Sequence, residues 1–131
     1  MRRVLIALAA LALAAPAAGQ SEPEWRAARE EQILLMPFAY EPRLIRLEAG
    51  RPVKLDFVNN SRSRLSVSAP DFFRAARVRG RDARFVRGGR FRLAPGERRS
   101  VALVPAPGRY RVRSANPVHR VLGMSAEILV E

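Results

Sequence analysis

The chain has 131 residues and a formal net charge of +12, with 24 basic side chains against 12 acidic ones, one histidine and no cysteine. That length suits a single domain. The lack of cysteine excludes disulfides, thiolate metal ligation and a cysteine-linked lipid anchor, so stability must come from core packing and sheet hydrogen bonds.

Residues 1–19 read as a secretory leader. Arg2 and Arg3 form a basic start, and the apolar run from Val4 to Ala15 is 12 residues, short for a bilayer span. Small residues suitable for cleavage lie near Ala17 to Gly19. The expected location is periplasmic or secreted, with an uncleaved anchor as the alternative. Export makes nucleic acid an unsuitable partner despite a pI near 11.7. The partners to expect are an anionic envelope component or an acidic periplasmic protein, with peripheral membrane contact allowed. The plainer alternative is a set of solvated arginines with no partner. Nothing in the sequence fixes an oligomeric state.

Residues 20–32 form a polar arm in which Trp25 is the only large apolar side chain. From Ile33 onward the pattern has period two. Ile33 to Phe38 is a first strand, with Pro37 marking an edge or bulge. Tyr40 to Leu47 holds a second, and Val53 to Asn59 alternates cleanly. Leu65 and Val67 share one face of a short strand. Asp71 is a candidate N-cap for a helix from Phe72 to Val78. Residues 79–89 read as loop. Phe91 with Leu93, Val101 with Leu103, and Ala126 with Ile128 and Val130 supply inward faces. Tyr110, Val112 and Ser114 share one face of a strand whose other face carries Arg109, Arg111 and Arg113. Seven or eight strands, with turns roughly every 8–12 residues and one short helix, predict an all-β, antiparallel sandwich over residues 33–131.

Ten arginines between Arg74 and Arg99 stand against only Asp82 and Glu97. Arg74, Arg77, Arg79, Arg81, Arg84 and Arg87 are therefore candidates for binding an anionic partner. Catalysis has no support: no Ser/His/Asp grouping has a recognisable spacing, and no glycine-rich loop joins a strand to a helix.

The C-terminal run GRYRVRSANPVHRVLGMSAEILVE resembles the end of a cupredoxin, the small blue-copper fold. Pro107-Gly108, Tyr110, His119 and Gly123-Met124 match that pattern. Phe38, Pro42, Ile45 and Gly50 fit the first strands. The run NNSRSRLSVSAPDFF resembles the segment that carries the family's first histidine ligand. The resemblance implies a Greek-key sandwich and places the family's His, Cys, His and Met ligands at Leu65, Ser114, His119 and Met124. Two of the four are lost, including the thiolate, and a neutral serine hydroxyl is a poor ligand for a soft metal. The resemblance thus implies a degenerate site with no expected cofactor. The protein would then be a binding or accessory module acting through its arginines. The alternative is weak copper binding or electron transfer at His119 and Met124, with ligands completed by a partner. A third reading is an envelope protein that holds anionic surfaces by charge alone.

Overall fold

A strand that buries every second side chain needs a second apolar face to pack on, and this chain supplies two sheets that cover each other. The structure, a computed structural model, describes residues 21–121 and 123–131. The expected leader lies outside the described residues. The strands are β1 (Arg29–Met36), β2 (Ala39–Glu41), β3 (Leu44–Leu47), β4 (Val53–Asn59), β5 (Leu65–Ser68), β6 (Arg77–Val78), β7 (Arg90–Leu93), β8 (Arg98–Val104), β9 (Gly108–Arg113) and β10 (Ser125–Val130). One sheet has the order β2-β1-β4-β8-β6 and the other β3-β10-β9-β5-β7.

Ile33, Leu35, Leu55, Phe57, Val101 and Leu103 from the first sheet meet Ile45, Leu65, Val67, Leu93, Val112 and Ile128 from the second. Phe57 and Phe91 close the gap edge to face, with ring centroids 5.0 Å apart. The all-β sandwich is as expected. Its pairing is mixed rather than wholly antiparallel, because β1 runs parallel to β4 and β3 parallel to β10.

Several local expectations are corrected. The first strand begins at Arg29 and so draws on the polar arm. Its outward residues are held by the ladder to β4 and by an ion pair from Lys54 to Glu30 at 3.2 Å. Pro37 lies beyond the strand, in the turn to β2. The expected strand from Tyr40 to Leu47 divides at Pro42, which has no N–H for a ladder, and its halves enter different sheets. The helix, α1 (Pro70–Ala75), starts earlier than expected. Pro70 opens it and Ala69, not Asp71, is the N-cap. Its end frees Arg77 and Val78 to pair with β8. The stretch Gly80–Gly89 holds 3-10 turns interrupted by a kink at Val86, Arg87 and Gly88. Gly89 is required there: its φ is 72°, and a Cβ would lie 2.3 Å from Pro70 Cα. A further five-residue helix, α2 (Pro117–Val121), precedes β10.

Tyr40 joins the sheets near one end, donating from its buried hydroxyl to the Ser66 carbonyl at 2.7 Å. Burial pushes its pKa upward from the usual value of 10.0. The unfolded chain therefore ionises first, so the stability held below that value is lost as pH rises above it. Urea unfolding of the parent between about pH 8 and 11 should show this loss, and Tyr40→Phe should show much less of it.

Candidate functional site

Three segments converge at one end of the sandwich: the Pro37–Phe38 turn, the start of β5, and the chain between β9 and β10. On β5 the alternation points Leu65 and Val67 between the sheets and leaves both buried. Ser66 faces the other way, yet it is 7% exposed because residues 114–116 fold over it. Its hydroxyl accepts the Ala115 N–H at 2.8 Å and pairs with the Ser114 hydroxyl at 3.2 Å.

Ser114 is fully buried. Its N–H donates to the Met124 carbonyl at 3.3 Å, and its hydroxyl accepts the Asn116 N–H at 3.2 Å. Arg120 donates from Nε and Nη2 to the Ser114 carbonyl, both at 3.3 Å. Met124 is also fully buried, and its N–H donates to the His119 carbonyl at 3.0 Å. The half-buried His119 ring stands edge-on to Phe38, with centroids 5.3 Å apart. Its Nδ1 is buried without a hydrogen-bond partner among the described residues. Leu65, Ser114, His119 and Met124 are thus drawn to one place by β5 and the loop after β9.

Neither a family model nor a curated protein matches this chain. Solved structures do. An auracyanin from Roseiflexus castenholzii is 18% identical with a TM-score of 0.57, over 80% of this chain and 98% of its own. Auracyanin B is 24% identical with a TM-score of 0.56, over 79% and 89%. The McoA multicopper oxidase from Aquifex aeolicus is 16% identical with a TM-score of 0.61, over 80% of this chain but 30% of its own. The chain therefore has a cupredoxin-like fold of the blue-copper type. At these identities the likeness is one of fold.

The donor set does not fit a blue-copper centre. That site takes two imidazoles and a thiolate, with a long axial thioether. Here one imidazole, one thioether and one hydroxyl are available, and the hydroxyl is already engaged by Ser66 and Asn116. Leu65 has no donor atom and fills core volume instead. Among the described residues, no group of three or more His, Asp, Glu or Cys side chains is placed to hold a metal ion.

The arginines from Arg74 to Arg87 do not form one face. Arg74 pairs with Asp71 at 3.3 Å and Arg77 with Glu22 at 3.3 Å. Arg79 is committed inward: it meets the buried Asp82 at 2.7 Å, and Asp82 also accepts the Ala102 N–H at 3.0 Å. Arg84 lies over the Phe85 ring at 4.9 Å. Arg81 and Arg87 point to solvent.

The larger basic surface is the outer face of the second sheet. Arg46 on β3, Arg109, Arg111 and Arg113 on β9, and Arg90 and Arg92 on β7 all point away from the core. Sequence reasoning found the β9 stripe but not its junction with β7. That junction depends on Ser68, which pairs with Arg113 on one side and Arg90 on the other. Ser66, Arg43 and Arg120 were also missed, because only the three-dimensional meeting of loops gives them a role.

Two outcomes are expected. Arg79→Gln should cost about 2–3 kcal/mol in urea unfolding, since it leaves Asp82 buried and unpaired. Arg81→Gln should change stability by less than about 0.5 kcal/mol. Secondly, Leu65→His with Ser114→Cys restores the missing ligand types at two buried positions. Copper titration of the folded variant should produce an intense visible copper–thiolate band, and the same titration of the parent should not. Equal copper uptake by both proteins would show that the retained geometry does not support the site.

Proposed function

We propose that this protein is an exported binding or accessory module of cupredoxin-like fold that engages an anionic partner in the cell envelope. It does so through the outer face of its second sheet. In this reading the copper-binding end has been converted to structural use. The observation that carries it is the density of unbalanced charge on that face. Six arginines stand against Glu127, which pairs with Arg109 at 3.3 Å. Arg113 and Arg90 flank Ser68, about 10 Å apart at two strand spacings. Neighbours on β9 are about 7 Å apart, within the Debye length at physiological salt of about 8 Å. Such a field is relieved by anions.

A second reading, weak copper binding, is favoured by one feature. The unpartnered Nδ1 of His119 and the buried Met124 thioether belong to residues joined by a backbone hydrogen bond. Metal bound by the parent after copper addition and desalting, measured directly, separates the two readings.

The test of the first is retention on immobilised heparin, used as a soluble-type polyanion. The parent should elute at high salt. Arg111→Gln with Arg113→Gln should elute at clearly lower salt with an unchanged circular dichroism spectrum. Retention indifferent to both salt and these substitutions would overturn the reading.

A further inference from the structure

Phe38 is the side chain that the fold explains least. It occupies the turn between β1 and β2 with a φ of 62°, a region that a phenylalanine seldom adopts. It is also 44% exposed. A residue that is both conformationally strained and apolar in water is poorly matched to a purely structural role. Val118, on α2 beside His119, is 63% exposed. Leu44, the first residue of β3, is the third large apolar side chain exposed among the described residues. All three lie at or beside the end where the loops meet.

Arginines border this end on two sides. Arg43, Arg113 and Arg120 line a hollow with Gly123 and Ser125, where Glu127 is the one carboxylate. Arg64 and Arg92 line the cleft next to His119, which holds no carboxylate. Apolar tips on a turn and a short helix, with guanidinium groups set back around them, match a layered target. Such a target presents phosphates at its surface and hydrocarbon beneath.

We propose that this end docks on an anionic phospholipid bilayer. Phe38 and Val118 enter the headgroup boundary, while Arg43, Arg64, Arg92 and Arg120 pair with lipid phosphates. The proposal rests on the reading above that the partner is anionic, but places the contact at the loop end, where Arg92 is the one docking arginine shared with the sheet face. An acidic protein would satisfy the arginines alone, whereas exposed apolar side chains beside guanidinium groups suit both the hydrocarbon and the phosphates of a bilayer.

Co-sedimentation with vesicles of equal phosphatidylglycerol and phosphatidylcholine tests it, with pure phosphatidylcholine vesicles and the heparin column run in parallel. The parent should bind the anionic vesicles and not the neutral ones. Phe38→Asn with Val118→Ser should lower vesicle partitioning by at least about ten-fold. Asparagine accepts a positive φ, so this variant should keep its thermal midpoint and its retention on heparin. Arg64→Gln with Arg92→Gln should weaken vesicle binding by about five-fold per charge. Phe38→Trp in a Trp25→Phe background gives a direct signal, a blue-shifted emission on anionic vesicles only. Heparin retention without vesicle binding would overturn the lipid proposal, leave the basic-face reading intact and point to an acidic protein. Loss of both would overturn both readings. Vesicle binding unaffected by the apolar substitutions, with no emission shift, would overturn insertion.

Discussion

The contact between Ser66 and Ser114 holds this end of the molecule together. Two hydroxyls 3.2 Å apart tie β5 to the loop after β9, supported by N–H groups of Ala115 and Asn116. Each of these hydrogen bonds adds only about 1 kcal/mol, but each buried hydroxyl left without a partner would cost more. The pair therefore acts mainly as a constraint. It sets where the loop after β9 leaves the sheet, and thereby where α2, His119 and Met124 sit. Leu65, buried next to Ser66 in the sequence, fills core volume between the sheets.

The arginines divide according to what lies opposite them. Where the chain places a carboxylate within reach, as at Asp71, Glu22 and Asp82, the charge is spent on local structure. Where strands carry only arginine and serine outward, no internal neighbour balances it. Local composition could show that residues 74–99 are rich in charge, but it could not show this division. The sorting depends on β7 lying across β5 from β9, a pairing between segments far apart in sequence.

The same distinction decides how much was legible. The Val53 to Asn59 strand, the inward pairs on β7 and β8, and the β9 alternation follow from period-two patterns, and local pattern is enough for them. The strand at Tyr40 to Leu47 was misread because its pattern runs through Pro42 unbroken while the backbone changes sheets there. Asp71 is a good capping residue, yet Pro70 opens the helix two positions before the expected start at Phe72. Leu65, Ser114, His119 and Met124 are singled out by resemblance alone, through the order of motifs along the chain. Ser66 and Phe38 carry no motif. Ser66 matters because of what crosses above it, and Phe38 because of a backbone angle that its identity argues against.

The two parallel pairings have a kinetic consequence. The earliest strand, β1, lies between β2 and β4, and the latest, β10, lies between β3 and β9. Neither is an edge strand. The second sheet remains split, with β3 separated from β9, until β10 is inserted between them. Its closure joins Leu44–Leu47 to residues about eighty positions later, so the chain must complete a long loop before that sheet is continuous. Long-range closure of this kind makes folding slow and leaves unpaired strand edges exposed meanwhile. The three arginines of β9, whose edge waits for β10, would keep partly folded copies apart during that interval.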